Sequence, residues 1–192
     1  MIIGLAGRKG CGKSSVAEIL HEKYGYRKMS FASPLKEMLL AMGLTEDEVY
    51  NIDLKEKKIE RYGKSPRELM QICGTEFARN MVCEDVWVKA LEAKIEPEFD
   101  DMIVIDDVRF PNEAEMIRKK GGRIIRVTRT GQELGMVDTH TSEAGIPLEL
   151  IDHEIKNVSC YITDLEAATV RVMEELQYGS IFNTQSGGFA SQ

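Results

Sequence analysis

Four cysteines, Cys11, Cys73, Cys83 and Cys160, are scattered through 192 residues with no Cys-x-x-Cys pair and no His–Cys cluster at zinc spacing. That scarcity argues against a disulfide framework and a structural zinc site, and free thiols in a reducing compartment are expected. No stretch reaches the length of a membrane span, and no apolar segment follows a basic one at the N-terminus, so a bilayer anchor and a secretory leader are not expected. Basic charge is in short supply: 25 Lys and Arg stand against 32 Asp and Glu, for a net charge of −7. This balance gives no support to broad binding of a nucleic-acid backbone, which needs a basic face. It leaves room for a small phosphorylated substrate in a locally basic cleft. There is no internal repeat, no Asn-Lys-x-Asp guanine motif and no Ser-His-Asp grouping at a known spacing. A cytoplasmic protein is expected.

What is present is 43% apolar and 30% charged residues in a length that suits one domain with a sizeable core. The most informative stretch is Gly7-Arg8-Lys9-Gly10-Cys11-Gly12-Lys13-Ser14. Gly, four residues, then Gly-Lys-Ser is the phosphate-cradling pattern of the P-loop. Its glycines let the backbone curl until several N–H groups point at one phosphate. Lys13 can then reach the β- and γ-phosphates, and the Ser14 hydroxyl can ligate Mg²⁺. The setting agrees: Ile2 to Ala6 reads as a buried strand, and Val16, Ile19 and Leu20 share a face of the helix that follows. A helix N-terminus adds partial positive charge at the same place.

Further along, Tyr26 to Phe31 reads as a second strand, and Ser33-Pro34 as a helix start with Ser33 as N-cap. Thr45 and Glu48 have the spacing of a capping box, as do Ser65 and Glu68 around Pro66. Asp53 to Arg61 reads as a solvated surface run. In the helix after Ser65, Leu69, Ile72, Cys73 and Phe77 are expected inside. Arg67, Gln71, Thr75 and Arg79 fall four apart and line one polar stripe suited to a phosphate and a base edge. A helix near Asp85 carries Trp87 and Leu91. Met102 to Ile105 is an apolar strand ending in Asp106-Asp107, where a P-loop enzyme orients its metal. Adjacent strand residues point to opposite faces, so one of the two carboxylates is expected at the metal. Arg109 follows near the carboxyl end of that strand, where ligands bind in open α/β sheets. Arg123 to Val127 and Asp152 to Val158 are further strands. Thr128 to Glu149 is long enough for a lid. A last helix capped at Thr163 is expected to end near Leu176, with a poorly ordered tail over 179–192. Alternating strands and helices predict an α/β fold: a P-loop core with a parallel sheet flanked by helices, and a helical substrate-binding insertion at about 36–94 in a single domain of residues 1–178.

Four stretches resemble the deoxynucleoside monophosphate kinases of bacteriophages: Gly7 to Ser14; Ser30-Phe31-Ala32-Ser33-Pro34-Leu35-Lys36; Arg67 to Gln71 with Gly74 to Arg79; and Asp107-Val108-Arg109-Phe110-Pro111-Asn112-Glu113. The resemblance implies transfer of the ATP γ-phosphoryl group to a deoxynucleoside 5′-monophosphate, with ATP and Mg²⁺ as cofactors. It implies ATP binding by Gly7, Arg8, Gly10, Cys11, Gly12, Lys13, Ser14 and Ser15, with Asn157 on the adenine side. Metal binding falls to Ser14 with Asp106 or Asp107. Catalysis falls to Lys13, Asp107, Arg109 and a lid arginine, Arg129, with Arg126 as the alternative. The monophosphate pocket takes Ser30, Phe31, Lys36, Arg67, Gln71, Thr75 and Arg79, with Trp87 either packed near the base or in the core. The partners implied are small nucleotides, without nucleic acid or membrane, and a homodimer fits the family; a phage-encoded copy would work in the host cytosol. Rival readings are a dephospho-coenzyme A kinase-like enzyme on the same core and a nucleotide-binding module without turnover.

Overall fold

The structure, a computed structural model, describes residues 1–95, 102–130 and 146–185, with side chains described up to residue 176. It divides into two compact units, Met1–Lys28 with Asp101–Gln192, and Met29–Asp100. The helical segment expected at 36–94 lies within the second unit.

The first unit is built on the sheet. Strands β1 (Ile2–Ala6), β2 (Arg27–Met29), β3 (Ile103–Val108), β4 (Arg123–Arg129) and β5 (His153–Asn157) take the order β2-β3-β1-β4-β5. The β1–β3, β1–β4 and β4–β5 pairings are parallel. Every residue of β1 is buried, as a central parallel strand covered on both faces requires. On one face Ile3, Leu5, Val104, Ile125, Val127 and Ile155 pack with Val16 and Leu20 of α1 (Lys13–Tyr24) and Leu165 and Met173 of α7 (Ile162–Gln185). On the other, a methyl group at Gly4 would strike Ile117 of α6 (Pro111–Lys119), 2.7 Å away, so that helix lies close against the strand. These strands bring the ends of β1, β3, β4 and β5 to one edge, and the P-loop leaves from that edge.

Among the boundaries that differ from expectation, β4 runs on past Val127 to Arg129, and three more have an evident cause. Strand β2 stops at Met29, because Ser30 turns the chain: its hydroxyl accepts the Ala32 N–H at 3.1 Å and its carbonyl the Ser33 N–H at 3.2 Å. That turn delivers Ala32 already helical, so the N-cap of α2 (Ser33–Ala41) is Ala32 and Ser33 is the first helical residue. Helix α7 runs on to Gln185 through Gly179, inside the expected tail. One interior glycine costs only about 1 kcal/mol relative to alanine and does not stop a helix.

The second unit holds α2, α3 (Glu46–Tyr50), α4 (Pro66–Gln71), a π-helix (Ile72–Val82) and α5 (Val86–Glu92). Both expected capping boxes form, Thr45 with Glu48 and Ser65 with Glu68. The run after Asp53 is a series of turns, exposed at Glu56, Lys57 and Lys58 as a surface run should be. It is held at Arg61, whose guanidinium grips Glu48 at 2.6 Å and donates to Gly43 O at 2.9 Å. Beyond Gln71 the helix widens. The Trp87 indole N–H donates to Gly74 O at 2.8 Å, and a side chain that claims a helix carbonyl disturbs the regular ladder. A π-helix takes more residues per turn, so the inward face shifts along the chain. Gly74, Ala78 and Arg79 are buried, while Phe77, expected inside, is 49% exposed.

Candidate active site

The P-loop connects β1 to α1. Gly7, Gly10 and Gly12 all have positive φ, at 142°, 78° and 114°. A side chain on Gly7 would land on the Val127 carbonyl, so the loop passes β4 at backbone distance. Helix α1 starts with Gly12 as N-cap, without a side-chain cap and without an acidic residue in its first turn. Helices α3, α4 and α6, by contrast, each carry glutamate there. The α1 terminus thus keeps N–H groups and partial positive charge for an outside anion. Lys13 folds back over the loop, its ammonium 2.6 Å from Gly7 O and 2.9 Å from Arg8 O. Asn157, at the end of β5, is buried and donates its amide N–H to Cys11 O at 3.0 Å. Its described donor contact is with the loop, from inside the protein.

The Ser14 hydroxyl lies 3.4 Å from Asp106 Oδ2. That is too long for a strong O–H···O bond. The two oxygens are hard donors of the kind Mg²⁺ takes, one or two from the protein and the rest from phosphates and water. Among the described residues no group of three or more His, Cys, Asp or Glu could form a metal cage. The acidic pair also departs from regular strand geometry. The register steps from Gly4↔Ile105 to Ala6↔Val108, so Leu5 alone faces both Asp106 and Asp107. This one-residue bulge breaks the strict alternation expected for the pair, and both carboxylates are half-buried.

Two arginines of the first unit lie at strand ends. Arg109 is exposed after β3, and its backbone is fixed by a residue that carried no assigned role in the sequence. Glu113, 2% exposed, accepts the N–H of Arg109 at 2.7 Å and of Phe110 at 3.1 Å on one oxygen. The signal for it was the Glu three residues into a helix that starts with proline. Arg129 is exposed at the end of β4, in register with Asn157. Arg126 is committed elsewhere: its Nη2 and Nε reach Glu154 Oε1 at 2.8 and 3.2 Å across the β4–β5 pair. That guanidinium holds the Glu154 carboxyl below the ordinary carboxylate range. The expected lid falls largely on residues 131–145, outside the described residues.

In the second unit the four-residue spacing of Arg67, Gln71, Thr75 and Arg79 crosses from α4 into the π-helix. Arg67 pairs with Glu56 at 3.3 Å, Gln71 is exposed and Thr75 half-buried. Arg79 is 9% exposed, and its Nη1 donates to Glu84 O at 3.1 Å. Lys36, in the first turn of α2, sits 4.9 Å over the Tyr50 ring. Phe31 and Trp87 are buried, Trp87 with its single donor on Gly74 O.

Among solved structures, dephospho-CoA kinase from Campylobacter jejuni superposes with a TM-score of 0.52 at 17% identity, over 93% of this chain and 98% of that one. Shikimate kinase from Aquifex aeolicus does so with 0.51 at 14%, over 94% and 99%. These likenesses show the fold, and together with the Gly7–Ser14 loop they define a P-loop core. The family model for deoxynucleotide monophosphate kinase matches residues 47–168. A protein of Acanthamoeba polyphaga mimivirus that carries the same family name is 31% identical over 91% of both chains. The deoxynucleoside-5′-monophosphate kinase of Escherichia phage T5 is 39% identical over 48% of this chain and 39% of its own length. The chain belongs to the deoxynucleotide monophosphate kinase family.

Proposed function

We propose that this protein transfers the γ-phosphoryl group of ATP to the 5′-phosphate of a deoxynucleoside monophosphate, giving the diphosphate and ADP. The observation that carries the reading is the loop itself: an uncapped helix N-terminus behind three positive-φ glycines, with the Lys13 ammonium folded over it and the Ser14–Asp106 pair alongside. Phosphoryl transfer asks little covalent chemistry of a protein. It asks for positioning and for positive charge where negative charge builds up. Lys13 and the loop amides, including those of Ser14 and Ser15, bind the donor phosphates in this reading. The Ser14 hydroxyl and the Asp106 carboxylate are the residues that would hold Mg²⁺, which when bound neutralises charge on the β- and γ-phosphates. Arg109 and Arg129 supply further positive charge from the ends of β3 and β4.

The acceptor set is assigned to the second unit. Helix α2 begins without a side-chain cap or an acidic first turn, flanked by Ser30 and Lys36. Arg67, Gln71, Thr75 and Arg79 add guanidinium, amide and hydroxyl groups. Phe31 and Trp87 act from inside, Trp87 by holding the carbonyl of Gly74 next to Thr75. In this reading the reaction takes place in the cytosol, in keeping with the absence, among the described residues, of a helix long and apolar enough to cross a membrane.

A coupled ADP-release assay with ATP, Mg²⁺ and a panel of dAMP, dGMP, dCMP, dTMP and the ribonucleotides tests the reading. Turnover with at least one deoxynucleotide, absent in Lys13→Ala, is the expected result. ATP binding without turnover on any member would favour a different acceptor and refute the proposal.

A further inference from the structure

We infer that Asn157 is a positioning residue for the phosphate-binding loop: from the end of β5 it orients the Cys11–Gly12 peptide and so fixes where the Gly12 N–H points. The inference rests on the kinase reading above and deepens it.

A loop rich in glycine has a physical difficulty. Glycine visits positive and negative φ with similar ease, so the residues that let the loop curl also let its peptides turn over. Donors that stabilise charge in a reaction must be oriented before the charge appears, or the reorganisation is lost from catalysis. Something outside the loop therefore has to hold its peptides. Asn157 meets that need. It closes an otherwise ordinary strand, yet the residue is only 8% exposed, and a buried amide requires partners. Its Nδ2 donates to Cys11 O at 3.0 Å. The carbonyl of Cys11 and the N–H of Gly12 belong to one planar trans peptide and point in opposite directions. Drawing the carbonyl toward β5 turns the Gly12 N–H away from β5, at the entrance to α1.

The packing is specific to this pair. A methyl group on Gly12 would sit 2.9 Å from Asn157 Nδ2 and 3.4 Å from Leu165 Cδ2, so the amide and the α7 leucine fill the space beside the glycine. Gly12 also has φ 114°, which side-chain-bearing residues rarely adopt. The same asparagine reaches a second part of the site through its backbone. Its carbonyl accepts the Thr130 N–H at 3.1 Å, and its register partner is Arg129. One residue thus ties the loop to the strand end that bears a charge-compensating arginine. Chemistry explains the choice of an amide. The Cys11 carbonyl can only accept, so the partner must donate, and aspartate of the same shape would oppose one acceptor with another.

The test is separate titration of ATP and of the deoxynucleoside monophosphate that turns over, by calorimetry, on wild type, Asn157→Asp and Asn157→Ala, with thermal unfolding as the check on folding. The expected result is ATP affinity weakened about tenfold or more in both variants, more in Asn157→Asp, with monophosphate affinity within about twofold of wild type. A loss shared equally by both ligands, or ATP affinity unchanged in folded variants, overturns the inference. Wild type that turns over while the variants match it refutes the positioning role alone; wild type that binds no ATP refutes the kinase reading as well. For a variant that does not fold, the wild type decides: the Asn157 side-chain amide resonances shift as ATP saturates the loop, and unmoved resonances overturn the inference.

Discussion

The carboxylate of Asp106 stands 3.4 Å from the hydroxyl of Ser14, at the point where β3 carries one residue more than β1. Of the two adjacent aspartates, Asp106 is therefore the one brought to the P-loop serine. Asp106→Asn is predicted to lower kcat about 100-fold and to raise the Mg²⁺ concentration needed for half-maximal rate. Asp107→Asn is predicted to do so less. Mg²⁺ titrations of both variants check this, and equal effects would contradict the assignment.

Arg126 and Arg129 lie three residues apart on β4 and have different surroundings. Arg126 is paired with Glu154, a partly exposed pair of the kind that contributes little to stability, whereas Arg129 is exposed at the strand end. Arg129→Ala is predicted to reduce kcat by at least about tenfold, and Arg126→Ala by less than about threefold. Steady-state kinetics on the two variants decide, and a larger loss from Arg126→Ala would reverse the assignment.

Glu113 satisfies two backbone N–H groups with one buried oxygen. Glu113→Ala leaves both without that acceptor and is predicted to destabilise the fold by about 2 kcal/mol. Glu113→Gln keeps an oxygen in place and is predicted to recover most of the loss. Urea unfolding measures both. A Gln variant as unstable as Ala would show that the charge, not the acceptor, matters.

Tyr26 is 1% exposed, and among the described residues its hydroxyl has no hydrogen-bond partner. Burial pushes its ionisation up from 10.0 to about 12. The folded state thus keeps a proton that the unfolded chain releases near pH 10. This contribution to stability is complete below pH 10 and declines as pH rises toward 12. Tyr26→Phe is predicted to hold or raise stability at pH 7 and to flatten the decline above pH 10. Denaturant midpoints across that range test it; an unchanged alkaline slope would mean that Tyr26 does not carry the effect.

The features legible in the sequence were those with local causes. The P-loop glycines and the Thr45–Glu48 and Ser65–Glu68 caps all depend on neighbours within a few residues. Features set by distant partners were not legible. The π-helix coincides with Trp87 reaching Gly74 from the next helix, and a four-residue spacing falls between the α-turn and the wider π-turn, so the Arg67–Arg79 spacing does not separate them and does not reveal that Phe77 faces out. The bulge at Asp106 and Asp107 exists only in the pairing of β3 with β1. Asn157 stands at the end of a short polar strand, and nothing local reveals that its amide reaches Cys11, 146 residues away.

The measurement that tests the central claim most directly is transfer of label from γ-³²P-ATP in the presence of Mg²⁺ and a deoxynucleoside monophosphate, with products separated by chromatography. The account predicts label in the deoxynucleoside diphosphate, formed in step with ADP and lost in Lys13→Ala. Label appearing only as inorganic phosphate, or remaining wholly in ATP with every deoxynucleotide tried, would contradict it.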